Sequence, residues 1–317
     1  MVGAGLMGVG IAQTFATARH SVLVVDTDPE CLSVVPTRLE SQLALLAAHG
    51  LTTQADAVAT AGRVQTRQSL DAALREVAQA VRHLPDGSEP AGLVVIEAIS
   101  EDLAVKQDLF RHLDEVVPSS ALLWSNTSGL SITAIARGLR HPERVCGTHF
   151  WNPPHLIPLV EVVRGERTAE RTLDETAALL SSAGKTPVIV HKDVPGFVGN
   201  RLLHALQREA MALVSSGVAS AEDVDRVVTQ GFGRRLGAVG PLAVCDLAGL
   251  DLILQVDSYL LSDLERSPHP DRLLEELVAR GDLGVKTLKG FLPWTKEAVD
   301  EVIERRDTAL IKALRGD

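Results

Sequence analysis

Gly3-Ala4-Gly5-Leu6-Met7-Gly8 leads directly into Val9-Gly10-Ile11-Ala12-Gln13-Thr14-Phe15-Ala16, and then comes Ser21-Val22-Leu23-Val24-Val25-Asp26. The middle stretch reads as a helix with small residues on one side, and the last as a buried strand closing on an acid. A glycine turn that opens a helix and precedes such a strand fits a dinucleotide-binding unit. One glycine allows the tight turn, one lets the backbone approach a pyrophosphate, and one permits close helix packing. The helix N-terminus offers unpaired N–H groups and the positive end of its dipole to the phosphates. Asp26 is placed to accept both hydroxyls of an adenosine ribose and to repel a 2′-phosphate. Thr27, Asp28 and Pro29 supply no arginine there, so the expected cofactor is NAD. Only Met1 and Val2 precede Gly3, whereas a strand usually runs about five residues. Either the first strand is a stub or the true start lies upstream.

The alternation continues. Leu93–Glu97, Ala121–Ser125, Val145–His149 and Leu159–Val163 read as further strands, with a helix over Leu103–Val117 between two of them. Strands alternating with helices imply an α/β fold with a doubly wound, Rossmann-type parallel sheet. From Asp193-Val194-Pro195-Gly196 onward there is no strand signal. A long amphipathic helix runs to about Ser216, Ser220 caps a second, Pro241 opens a third to about Leu264, and a last spans about Lys296–Leu314. The expected organisation is a dinucleotide-binding domain over 1–192 and an all-helical domain over 193–317. The apolar faces of the helical part exceed what one small core needs, so a homodimer is expected.

Bulk composition narrows the function classes. A net charge of −10 over 317 residues argues against a nucleic-acid partner, which needs a basic face. Three scattered cysteines exclude a disulfide framework and a CxxC metal site, and they fit the cytoplasm. No HxxxH or HExxH spacing occurs, so no metal is expected. The uncharged stretch Pro118–Ala136 is rich in Ser, Thr and Asn and is no membrane span. Leu84–Pro90 reads as an exposed turn.

Oxidising an alcohol needs a base for the hydroxyl proton while hydride leaves for the nicotinamide, and histidine suits that near neutral pH. His149 ends an expected strand in Thr148-His149-Phe150-Trp151-Asn152-Pro153-Pro154, at the rim where such sheets bind ligands. Glu161 sits inside the apolar run Leu159–Val163 and needs a partner. Pairing it with His149 would fix the imidazole tautomer. A structural histidine and a buried ion pair remain the alternative. Ser125-Asn126-Thr127-Ser128-Gly129 brings hydroxyls to the same rim, or caps a helix over Ser131–Arg137. Asn200 heads the first helix of the second half, either as a cap or as a ligand contact. Glu101 and Lys106 read by default as a surface pair.

Together these pieces, in this order, resemble the 3-hydroxyacyl-CoA dehydrogenase family along nearly the whole chain. The carrying motifs are the Gly3–Gly8 turn, Glu97-Ala98-Ile99-Ser100-Glu101-Asp102-Leu103 with Lys106, and Ser125-Asn126-Thr127-Ser128. To these add His149-Phe150-Trp151-Asn152-Pro153 leading to Leu159-Val160-Glu161-Val162, and Pro195-Gly196-Phe197-Val198-Gly199-Asn200-Arg201. The resemblance implies an NAD-dependent oxidoreductase of fatty acid metabolism that converts L-3-hydroxyacyl-CoA to 3-oxoacyl-CoA. It implies His149 as base, Glu161 as its orienter, and Ser128 touching both substrate and nicotinamide. Asn200 would bind the substrate oxygen. Glu101 and Lys106 would lie by the nicotinamide ribose, Asn152 near the nicotinamide, and Gly3, Gly5, Leu6, Met7 and Gly8 under the dinucleotide. It further implies a dimer through the helical domain.

Some features depart from the acyl-CoA enzymes. Their hairpin after the second strand bears lysines that help hold CoA. Here Pro29–His49 has one basic residue with a permanent charge, Arg38, and the first lysine of the chain is Lys106. Leu288 replaces a glycine in Gly284–Phe291, and residues about 76 to 92 look inserted. Asn152–Pro158 resembles relatives acting on gulonate, carnitine or pyridine carboxylates. A non-CoA hydroxy acid or hydroxymethyl aromatic acid is therefore the alternative substrate. A non-catalytic NAD-binding structural protein on the same scaffold is a further one.

Overall fold

A computed structural model describes residues 1–82 and 92–316. The turn expected at Leu84–Pro90, and part of the segment that looks inserted, lie outside the described residues. Elements run in the order α1 (Leu6–Thr17), β1 (Val22–Val25), α2 (Pro29–Ser33), α3 (Val35–Ala48), α4 (Gln54–Ala61), β2 (Val64–Arg67) and α5 (Leu70–Arg82). There follow β3 (Val94–Glu97), α6 (Leu103–Val116), β4 (Leu122–Ser125), α7 (Ile132–Ile135), β5 (Val145–Phe150), β6 (Leu159–Val163), α8 (Glu170–Ser182) and β7 (Thr186–Val190). The helices α9 (Gly199–Ser215), α10 (Ala221–Gln230), α11 (Gly233–Leu236), α12 (Pro241–Ala248), α13 (Leu250–Leu260), α14 (Arg272–Ala279) and α15 (Lys296–Arg315) complete the chain.

The strands pair in the order β2-β1 and β3-β4-β5-β6-β7. Val2 joins the two groups, bridging Val25 on one side and Glu97 on the other, both parallel. The first strand is thus a single bridging residue. Its amide donates to the Ile96 carbonyl at 2.8 Å and its carbonyl accepts from Ala98 N at 2.8 Å. Strand order reverses at this point, which is where a doubly wound sheet opens its ligand crevice. Within the sheet, β6 runs antiparallel to β5 and directly opposite it, so that His149 faces Glu161 across the pair. All other pairings are parallel.

The turn after Val2 works because Gly3 has no side chain. Its φ of +104° lies in the left-handed region, and a Cβ there would stand 2.4 Å from the Ala98 carbonyl oxygen. Helix α1 then packs on β1 through Ala4, Val9, Ala12 and Val24, and α3 closes that core with Val35, Leu39 and Leu43. On the rest of the sheet, Phe110 and Leu113 of α6 pack with Leu123 and Val145 in one core. Phe15, Trp124, Phe150, Leu173 and Leu180 form another.

The chain divides into two compact units, Met1–Asn200 with Asp307–Asp317, and Arg201–Arg306. The first boundary therefore falls after Asn200 rather than at 192, and the C-terminal end of α15 joins the sheet-bearing unit. Hydrogen bonds explain both shifts. Residues 198–200 are bonded to Glu161 and Ser128, while Ile311 is buried and Arg315 donates to the His49 carbonyl. Inside the second unit, the helix expected from Pro241 to about Leu264 is split. Gly249, at φ +93°, separates α12 from α13. Ser220 caps α10 by accepting from Asp223 N at 3.1 Å.

Candidate active site

The glycine turn and Asp26 form one unit. Asp26 Oδ2 accepts from Ala4 N at 2.8 Å and Oδ1 from Asp28 N at 3.0 Å, so the backbone on both sides orients this carboxylate. Gly5 sits at the head of α1, has no neighbour within 4 Å of where a Cβ would stand, and gives the helix no side-chain cap. The first-turn N–H groups are left for an anionic ligand. Leu6 is exposed, Met7 half-buried and Gly8 buried beneath the turn. The cradle fits a dinucleotide pyrophosphate, and Asp26 fits a ribose diol.

Strands β4, β5 and β6 and the loop after β4 supply the second group of residues. His149 comes from β5 and Glu161 from β6, and both are buried. His149 Nδ1 lies 2.7 Å from Glu161 Oε2. The other carboxylate oxygen, Oε1, accepts from Val198 N at 2.9 Å and Gly199 N at 3.0 Å. A carboxylate only accepts, so Nδ1 carries a proton, and in the neutral ring the lone pair is on Nε2. Burial pushes the Glu161 carboxyl up, but the bonds from His149, Gly199 and Val198 outweigh it and hold the group below the usual carboxylate range. The imidazole lies beside two rings, Trp151 at 5.0 Å and Phe197 at 5.8 Å between centroids. Gly199 makes room for the first of them, because a Cβ at that position would fall 2.2 Å from Trp151 Cζ2.

The loop after β4 carries Ser128, which is exposed. Asn126 ties this loop to β5, its Oδ1 accepting from Phe150 N at 2.9 Å. Glu101 Oε1 accepts from Ser128 N at 3.0 Å and from Thr127 Oγ1 at 2.5 Å. Burial raises the Glu101 carboxyl, but the Thr127, Lys106 and Ser128 contacts leave it lowered overall. Asn200 Nδ2 donates to the Ser128 carbonyl at 2.7 Å, leaving its second N–H and its Oδ1 for another ligand. Asn152 is exposed and joined to Pro153 by a cis peptide bond. Its side chain makes no hydrogen bond to the described residues. Lys185 supports the loop behind it, donating to the carbonyls of Pro154 at 2.5 Å and Ile157 at 3.0 Å. Burial lowers that ammonium to about 8.

The structure therefore brings together Ala4 with Asp26, His149 with Glu161, and Ser128 with both Asn200 and Glu101. Lys106 is not a surface residue. It is fully buried, with Nζ 2.5 Å from Glu97 and 3.3 Å from Glu101. Glu97, the amides of Val198 and Gly199, and the two rings beside His149 carry no role in the sequence reading. The sequence signals for Glu97 are an acid closing an apolar strand and its place at the head of the Glu97–Leu103 motif. Among the described residues no group of three or more His, Cys, Asp or Glu is arranged to hold a metal ion. Among the described residues no helix is long and apolar enough to cross a membrane.

Comparisons with known proteins identify the family. The family model described as 3-hydroxyacyl-CoA dehydrogenase, NAD binding domain, matches residues 1–194. The model of the C-terminal domain of the same family matches 196–294. A probable 3-hydroxybutyryl-CoA dehydrogenase of Bacillus subtilis is 39% identical over 298 residues, covering 94% of this chain and 97% of the relative. The 5-formyl-3-hydroxy-2-methylpyridine 4-carboxylate 5-dehydrogenase of Mesorhizobium japonicum is 34% identical over 315 residues, covering 99% and 96%. A crystal structure of an enzyme of that activity, described as an NAD-dependent dismutase, superposes with a TM-score of 0.86 at 33% identity, covering 99% and 96%.

Proposed function

Because the chain belongs to the 3-hydroxyacyl-CoA dehydrogenase family, and is thereby an NAD-dependent oxidoreductase acting on CH–OH groups, we propose that His149 is its general base. One observation carries this reading. His149 Nδ1 is held at 2.7 Å by a carboxylate that two main-chain amides in turn hold in place. That arrangement leaves Nε2 to take the hydroxyl proton, and it stabilises the imidazolium that results. Bound NAD supplies the hydride acceptor. Gly3–Gly8 and Asp26 hold its adenosine and pyrophosphate half, while Glu101, Lys106, Ser128 and Asn152 line the nicotinamide side. Ser128 and Asn200 take the substrate oxygen between them, Asn200 through its free N–H.

The family substrate is an L-3-hydroxyacyl-CoA, which would place the chain in fatty acid metabolism. A second reading, a compact carboxylated alcohol or aldehyde without CoA, is favoured by the α3–α4 hairpin. Its buried face is apolar (Val35, Leu39, Leu43), and over 35–61 it carries Arg38, Glu40, His49 and Asp56 but no lysine. Several phosphate charges on CoA call for cations there. The full-length likeness to a pyridine-carboxylate dehydrogenase supports the same reading. NADH consumption at neutral pH decides between them. Turnover of acetoacetyl-CoA at ordinary enzyme rates refutes the second reading. Turnover restricted to small formyl or oxo acids refutes the first.

The unit Arg201–Arg306 supports a homodimer. Among its described residues only Leu277 is a buried hydrophobic, while Leu242, Leu247 and Leu254 are 80%, 79% and 72% exposed. Amphipathic helices with so little core need a partner surface, and a second copy supplies one. Sedimentation of a species with the mass of one chain at micromolar concentration would refute this. The free cysteines suit the reducing cytoplasm.

A further inference from the structure

Glu97 ends β3 with its side chain fully buried at the centre of a polar cluster, and it has no part of its own in the proposed reaction. Its Oε1 accepts from Lys106 Nζ at 2.5 Å and from Ile99 N at 2.8 Å, and its Oε2 accepts from Ser125 Oγ at 2.6 Å. Lys106 Nζ also stands 3.3 Å from Glu101 Oε2. Glu101 Oε1 in turn accepts from Ser128 N at 3.0 Å. A second route from Glu97 reaches the same loop, because Ser125 Oγ accepts from Thr127 N at 3.4 Å.

A buried ion pair is weak evidence for a contribution to stability, since apolar side chains of similar volume serve a core as well or better. The cluster has a different use. The Glu101 side chain is 45% exposed, and alone it would sample several rotamers. Lys106 is 1% exposed, and its end is fixed by Glu97. The ammonium is therefore a stationary charge against which Glu101 is held, and Glu101 sets the Ser128 amide.

We propose that Glu97 is a positioning residue of the cofactor site, fixing Lys106 so that Glu101 and Ser128 stand ready on the nicotinamide side. This rests on the assignment of Glu101 and Ser128 to that side. Glu97→Gln is the direct test, because it keeps the volume and an acceptor for Lys106 and Ile99 while removing the charge. The expected result is a KM for NAD raised about tenfold, with kcat at saturating cofactor falling by a smaller factor. Ser125→Ala, which removes the partner of Oε2 and with it the acceptor for Thr127 N, is expected to raise that KM by about two- to fivefold. A fold-stability role alone would lower the melting temperature of Glu97→Gln and leave its KM for NAD unchanged below it, which overturns the proposal. If Glu97→Gln does not fold, an unchanged KM in Ser125→Ala overturns it instead. Glu101→Gln separates the two possible failures. An unchanged KM in that variant sinks the assignment of Glu101 to the cofactor, and this proposal with it. A raised KM there beside an unchanged one in Glu97→Gln sinks the role of Glu97 alone.

Discussion

Replacing Glu161 by glutamine tests the orienting role most sharply, because the surrounding donors dictate how the amide must sit. Glu161 Oε1 faces two main-chain N–H groups, Val198 at 2.9 Å and Gly199 at 3.0 Å, and Oε2 faces His149 Nδ1 at 2.7 Å. If glutamine keeps its oxygen on the two amides, its NH2 points at Nδ1. The imidazole must then carry its proton on Nε2, the atom that has to accept one. If the amide turns over, Nδ1–H is satisfied but two buried N–H groups face an NH2, at about 1–3 kcal/mol each. The reactive tautomer is thus reached only at a cost of about 3–5 kcal/mol, or about 10²–10⁴-fold in rate. The lost carboxylate also no longer stabilises the imidazolium. The assay is kcat for NADH oxidation with the best carbonyl substrate, beside NADH binding to the same variant. The expected result is a rate reduced by that factor with NADH binding intact. A variant retaining more than about a tenth of the parental rate would refute the orienting role.

Asp26→Ala removes the carboxylate proposed to hold the ribose; a charge-assisted partner is worth about 1.5–3 kcal/mol, so KM for NAD is expected to rise about 10- to 100-fold and the preference over NADP to narrow. A parental enzyme that prefers NADP contradicts this. Gly199→Ala sets a methyl 2.2 Å from Trp151 Cζ2; urea unfolding should show a loss of about 1–3 kcal/mol, together with a lower kcat as the indole shifts against His149. Parental stability and rate in that variant would show that the packing gives way freely. The Glu161 and Asp114 carboxyls are both held low in the fold, Asp114 by Arg144 and the Arg140 and His141 amides against the upward push of burial. Their stabilisation is present above the unfolded carboxylate values of about 4 and is lost as pH falls through the lower folded values. The urea midpoint should therefore drop on acidification below about pH 4.5, and less steeply in Glu161→Gln than in the parent; equal slopes contradict it.

What could be read in the sequence follows physical locality. The glycine turn, the strand ending at Asp26 and the buried strands β3 to β6 announce themselves through continuous apolar runs, and the structure has them within a residue or two of the expected ends. The strands β2 and β7 escape notice for a shared reason. They are the two edges of the sheet, half-exposed, with polar residues in Val64-Gln65-Thr66-Arg67 and a proline at 187, which an edge tolerates and an interior strand does not. The spacing from His149 to Glu161 suggests that they meet, but the antiparallel turn-back that sets them directly opposite depends on how the 151–158 loop packs. The partners of Glu161 at 198 and 199, and the three-way contact of Glu97, join residues far apart in the chain. No local pattern encodes such contacts. The same holds for the first strand, where Val2 alone bridges two neighbours.

The central claim is that this chain oxidises CH–OH groups with NAD through His149. Its most direct test is the single-turnover rate of hydride transfer from bound NADH to a carbonyl substrate, in the parent and in His149→Gln. The rate is expected to be lower by about 10²–10⁴-fold in the variant, with an unchanged dissociation constant for NADH. A variant transferring hydride at close to the parental rate would contradict it.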